Sequence, residues 1–163
     1  MNRTLAPELV EMEEDTQYGR YLTFNLGTEY YGLEIKYVTE IIGMQLITTL
    51  PGLPAYIKGI INLRGRIIPV MDVRLRFDKE QLEYNDRICI IVACFDGVDI
   101  GLIVDRVSEV LTIPDADIVP PPEINKTSNK FIKGIGKVGN EVKLLLDYQK
   151  LIDHDDILAI ITD

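Results

Sequence analysis

Histidine, cysteine and long apolar runs are all scarce in this chain, and each scarcity removes a class of function. The 163 residues hold one histidine, His154, inside Asp153-His154-Asp155-Asp156, which reads first as a solvated acidic face. Cys89 and Cys94 have no CxxC partner, so a zinc site or a redox pair lacks its ligand set. They lie five apart on one apparent strand, on opposite faces, and are expected to stay reduced. There is no GxGxxG or P-loop pattern. Ser108 and Ser128 have no neighbouring histidine motif, and Asp115 with Asp117 lacks the glycine and terminal glutamate of a calcium loop. Basic residues number 17 against 26 acidic ones, and a formal charge of −9 works against binding a phosphate backbone. The longest purely apolar run, residues 88–95, is eight residues, where a membrane helix needs roughly 20. The N-terminus carries no basic, apolar signal sequence. These absences predict a soluble, cytoplasmic protein with no catalytic residues, no cofactor or metal, no nucleic-acid partner and no direct membrane insertion.

What the chain does have is a repeat of itself. YGLEIKYVTEII at 31–42 is answered by IGLIVDRVSEVL at 100–111, ungapped at an offset of 69. YIKGIINLRGRIIPVMD at 56–72 is answered by FIKGIGKVGNEVKLLLD at 131–147 at an offset of 75, which places a six-residue insertion in the second copy. Two like modules are implied, 18–82 and 83–152. Each would have a thin core alone, so each is expected to depend on packing against the other, and the seam becomes a candidate functional surface.

Residues 1–17 carry Glu8, Glu11, Glu13, Glu14 and Asp15 with few large apolar groups and read as a disordered acidic tail. Leu22, Phe24 and Leu26 then alternate with Thr23 and Asn25, and Gly27-Thr28-Glu29 supplies a turn, which predicts a hairpin with one buried face. Ile35, Val38 and Ile42 fall at helical spacing while Val38, Glu40 and Ile42 suit a strand, which predicts a short helical turn running into a strand. A second hairpin is expected about Arg64-Gly65, with Pro69 favouring an edge strand or bulge because it cannot donate to a ladder. Asp72 and Asp147 stand where an N-cap would serve a short helix. The second copy repeats the order, with turns at Asp96-Gly97 and Gly139-Asn140. Residues 114–130, with Pro120-Pro121-Pro122, read as a mobile or contact loop, and residues 153–163 as a final helix or tail.

Comparison of the copies separates scaffold from task. Glu40 matches Glu109, Lys58 matches Lys133, Gly59 matches Gly134 and Asp72 matches Asp147, as one fold asking twice for the same residue would produce. Arg64, by contrast, stands where the second copy has Gly139. A solvated surface arginine is the default reading from the residues alone, but in an acidic chain a lone basic turn with five fixed donors suits a carboxylate or backbone carbonyls on a partner.

Through IKGIINLRGRIIPVMDVR, YNDRICIIVA and GLIVDRVSEVL the chain resembles the CheW family of chemotaxis coupling proteins, from about Tyr18 to Ile152. The resemblance implies a mainly β fold of two five-stranded, SH3-like β-barrels packed side by side. It implies a non-enzymatic adaptor between the cytoplasmic tips of methyl-accepting chemoreceptors and the regulatory domain of the histidine kinase CheA, recruited to membrane-associated receptor arrays. Carried onto this sequence, the receptor contact falls on Arg64, Gly65, Glu40, Val107 and Val110, in a groove between barrels, and the kinase contact on Val38 and the strand of Gly59. The same domain occurs in CheV proteins, followed by a receiver domain, and within CheA itself; a chain ending at Asp163 is expected to be the free-standing coupler. A small ligand-binding β-barrel protein with a polar pocket between the modules is the alternative from outside the family.

Overall fold

The computed structural model describes residues 17–122 and 130–161, so the acidic tail and the polar half of the 114–130 loop lie outside the described residues. Eleven strands form two antiparallel-rich sheets. The first copy supplies β1 (Arg20–Leu26), β2 (Glu29–Glu34), β3 (Val38–Gly43), β4 (Ile57–Leu63) and β5 (Arg66–Asp72). The second supplies β6 (Cys89–Phe95), β7 (Val98–Val104), β8 (Arg106–Thr112), β9 (Ile118–Val119), β10 (Ile132–Val138) and β11 (Glu141–Leu146). The expected helical turn before β3 is a single 3-10 turn at Ile35–Tyr37.

The sheets do not follow the division into 18–82 and 83–152. One sheet has the order β3-β6-β7-β5-β4 and the other β8-β1-β2-β11-β10-β9, so the first hairpin of each copy sits in the barrel built by the other copy. Both exchanged hairpins join by a parallel pairing, β5 with β7 and β11 with β2. The repeat stands as a sequence feature, but each barrel needs both halves of the chain.

The five-stranded sheet closes where Thr48, after β3, exchanges two 2.9 Å backbone hydrogen bonds with Ile60 of β4. In the other sheet β9 does the same task, pairing Val119 with Ile135, the repeat partner of Ile60. The sixth strand is therefore a two-residue extension of a shared closure. Gly59 is required at this point: its φ is +143°, and a Cβ there would lie 2.1 Å from the Thr48 carbonyl oxygen.

Each of β1, β2, β6 and β7 lies between a barrel interior and the seam, which buries both of its faces. Leu22, Phe24, Leu26, Tyr31 and Leu33 enter the seam from one barrel, and their repeat partners Ile91, Ala93, Phe95, Ile100 and Leu102 from the other. Thr23 and Asn25, expected on a solvated face, are buried instead. Full burial of each Leu, Ile or Phe here is worth about 1.5–3 kcal/mol, and the seam holds more of them than either barrel interior.

Pro69 is not on an edge strand, since β5 runs between β4 and β7. Its ladder with β7 begins only at Val70, so the missing N–H falls before that pairing starts. Helices α1 (Val73–Arg76) and α2 (Tyr148–Leu151) begin on the expected caps: Asp72 accepts from the Arg74 and Leu75 amides at 2.9 and 3.3 Å, and Asp147 from the Gln149 amide at 3.0 Å. The last helix, α3 (His154–Ile161), places Ile157 in the seam cluster. Arg76 joins the copies, its guanidinium lying 4.6 Å from the Tyr56 ring and 4.8 Å from the Phe131 ring, two repeat partners. It also donates to the Leu151 carbonyl at 2.8 Å.

Candidate functional site

The β4–β5 turn turns on two residues with positive φ, Arg64 at 53° and Gly65 at 89°. A non-glycine residue in this region is strained by sterics. The turn is held by Asn62, whose Oδ1 accepts from the Gly65 amide at 2.8 Å. From there the Arg64 guanidinium donates to Glu40 Oε2 at 2.5 Å, on β3 of the same barrel. The pair is exposed, with 68% of the arginine side chain accessible, so it contributes at most about 1 kcal/mol to folding. Arg66 binds Asp99 at 3.0 Å beside it. Two cations and two carboxylates thus line one end of the five-stranded barrel.

Sequence reasoning placed Arg64, Gly65 and Glu40 together, and the structure brings them together. Val107 and Val110 belong to the other sheet, on β8, where they pair with Phe24 and Leu22 of β1. Val107 packs on the seam cluster and Val110 remains 39% exposed. Val38 is the repeat partner of Val107 and takes the matching place on β3, opposite Ala93, also against the seam. Gly59 is buried in the barrel closure and offers no side chain to a partner.

Two exposed apolar pairs recur with the repeat, and of their four residues the sequence singled out only Val110. Ile41 and Val110 are partners at 45% and 39% exposure, and Ile67 and Val142 at 59% and 54%. The offset alone would have found them, once the facing of each strand was known. A pair of charged residues was also missed: Asp105 receives Arg74 through two bonds of 2.7 and 2.6 Å and the Gly27 amide at 2.6 Å. Burial pushes this carboxyl up, but the Arg74 and Gly27 bonds outweigh it and hold Asp105 below its ordinary value. Here α1 is tied to the β1–β2 turn of the opposite barrel.

A cavity of about 740 Å³ is present, but it lies at one end of the six-stranded barrel and not between the modules. The seam itself is filled by apolar side chains. Among the described residues no group of three or more His, Cys, Asp or Glu could hold a metal ion, and no helix is long and apolar enough to cross a membrane.

A profile of the CheW-like domain family matches residues 20–156. The chain belongs to that family. It is 35% identical over 141 residues to the chemotaxis protein CheW of Klebsiella aerogenes, covering 86% of this chain and 85% of that one. It is 31% identical over 159 residues to CheW of Treponema pallidum, covering 94% of each. The crystal structure of the scaffolding protein TtCheW from Thermoanaerobacter tengcongensis superposes with a TM-score of 0.74 at 37% identity, over 79% of this chain and 88% of that one. CheW-like membership makes the chain a chemotaxis scaffold of mainly β structure, with which a non-enzymatic role agrees.

Proposed function

We propose that this CheW-like scaffold couples chemoreceptor cytoplasmic tips to the regulatory domain of CheA and carries out no chemistry of its own. The observation that supports this best is Arg64: a strained, exposed guanidinium at a turn where the repeat copy has glycine, with Glu40 as its only ion-pair partner among the described residues. Scaffold reasons alone do not ask for an arginine there, since Gly139 makes the equivalent turn. The receptor tip meets Arg64, Gly65 and Glu40 on one barrel and Val107 and Val110 on the other. A helical tip laid in an apolar groove with a charged rim uses such a surface.

The kinase contact is on β3 about Val38. Gly59 contributes by shaping the neighbouring strand, not by touching the partner, because its surroundings are the Thr48 backbone. The complex acts in the cytoplasm, on arrays that the receptors anchor. A CheV-type coupling domain would use the same two surfaces.

Separate titrations of the purified chain with a receptor-tip fragment and with the CheA regulatory domain test the reading. Two saturable complexes are expected, each burying about 1,200–2,000 Å². Binding of neither partner would overturn it, as would ATP turnover by the chain alone.

A further inference from the structure

The hairpins β4–β5 and β10–β11 are repeat partners, and each is closed by two residues, between the pair Leu63 and Arg66 in one and the pair Val138 and Glu141 in the other. Their turns nevertheless differ. In the first, φ is positive at both residues, 53° at Arg64 and 89° at Gly65, which is the pattern of a type I′ turn. In the second, φ is positive at Gly139, at 60°, and not at Asn140, which is the pattern of a type II′ turn. The two types differ in the orientation of the central peptide, so the amide of the second turn residue points to opposite sides of the hairpin.

A type II′ turn asks its first residue for a backbone conformation that suits glycine, and Gly139 provides it. An arginine at that place is left with the type I′ turn, whose left-handed φ disfavours every side chain with a Cβ. Asn62 offsets this cost. Its Oδ1 accepts from the Gly65 amide at 2.8 Å, and that amide belongs to the central peptide whose orientation separates the two turns. The repeat partner of Asn62 is Lys137, whose ammonium has donors and no acceptor. The acceptor is thus present where the turn carries arginine and absent where it carries glycine.

We propose that Asn62 is a positioning residue for the receptor contact. By holding the central peptide of the turn it keeps Arg64 at positive φ, and with it the guanidinium that donates to Glu40 Oε2 across the end of the barrel. Asn62 does not touch the receptor; it acts through Arg64. Without it, Arg64 relieves its backbone strain by moving to negative φ, and the guanidinium leaves Glu40. The choice of which barrel presents a guanidinium is therefore made by two residues together, Asn62 and Arg64, where the repeat has Lys137 and Gly139. This inference rests on the reading of Arg64 as a receptor contact.

The test titrates a receptor-tip fragment into four full-length chains, the parent, Asn62→Ala, Arg64→Gly and the double variant. Asn62→Ala should weaken binding roughly three- to tenfold, the worth of one hydrogen bond. Asn62→Asp, which keeps the acceptor, should restore most of it. In the Arg64→Gly background, Asn62→Ala should change receptor affinity by less than about twofold, because the side chain that it positions is gone. An equal loss in both backgrounds would overturn the proposal, since Asn62 would then act on the partner or the barrel directly. A second measurement follows the Arg64 guanidinium resonances by NMR without a partner. In Asn62→Ala they should move to the position that Glu40→Gln gives, and in Asn62→Asp they should stay at the parent position; unmoved resonances in Asn62→Ala would also overturn the proposal. Full receptor affinity in Arg64→Gly itself would defeat the receptor reading of Arg64, and this role of Asn62 with it. Resonances that still move in Asn62→Ala would then show that the positioning holds, so the two failures are told apart.

Discussion

Gly59 and Thr48 touch where the five-stranded barrel closes, so closely that a Cβ on Gly59 would lie 2.1 Å from the Thr48 carbonyl oxygen. The repeat partner Gly134 has more freedom, since its Cβ would meet a movable methyl of Ile118 at 2.9 Å.

Gly59→Ala should therefore destabilise the protein by at least about 2 kcal/mol, combining the positive-φ penalty with overpacking against backbone. Gly134→Ala should cost less. Urea unfolding of both variants measures the difference. Equal, small losses would show that Thr48 can move aside. Loss of kinase binding in a Gly59→Asp variant, taken alone, would report a damaged barrel and not a contact.

Replacing Arg64 with glycine removes the guanidinium and supplies the residue that the repeat uses at this turn. Stability should stay within about 1 kcal/mol of the parent, because an exposed ion pair is lost and backbone strain is relieved. Receptor-tip affinity should fall by about 2–5 kcal/mol if the charge is buried in the complex, and by far less, with strong salt dependence, if it sits on the rim. Kinase affinity should not change. Undiminished receptor affinity in the folded variant would return Arg64 to an ordinary solvated arginine.

Asp105→Asn should cost about 2 kcal/mol, the range for hydrogen bonds to charged groups. Its pKa is depressed in the folded state, so its contribution is complete above the ordinary carboxylate value of 3.8 and is lost as pH falls toward the depressed one. The parent should lose this stability below about pH 4, and the variant should show a shallower acid branch. Denaturant midpoints recorded across that range check the sign; parallel acid branches would contradict it.

Arg76→Ala removes a cation from between Tyr56 and Phe131 and leaves the Leu151 carbonyl without its donor. A loss of about 2–4 kcal/mol follows from one charged hydrogen bond and two ring contacts. Arg76→Lys should recover only part of it, since an ammonium cannot stack in the plane of a guanidinium. Thermal unfolding of the pair measures this, and full rescue by lysine would leave charge, not geometry, as the cause.

Much of this arrangement could be read from the residues. Hairpins followed from Gly27, Gly65, Gly97 and Gly139 between alternating runs, caps from Asp72 and Asp147, and the family from the NLRG turn with GLIVDRVSEV. The exchange of hairpins could not be read, because β1 and β6 present matching apolar faces, Leu22, Phe24 and Leu26 against Ile91, Ala93 and Phe95, and in a closed pair of barrels either pairing would bury them. The same cause hid Thr23 and Asn25, whose polarity suggested solvent while their strand passes between a barrel interior and the seam. Pro69 misled because its lack of an N–H says only that one side is unbonded at that residue, and β5 is bonded on that side from Val70 onward.

An adaptor must hold both partners together. The most direct measurement titrates the receptor-tip fragment into the chain already saturated with the CheA regulatory domain, following formation of the three-part complex by analytical ultracentrifugation. The account predicts a ternary species of one complex mass, formed with a receptor affinity close to that of the free chain and lost with Arg64→Gly. Displacement of the kinase domain by the receptor tip would contradict it, since a single shared surface cannot couple the two.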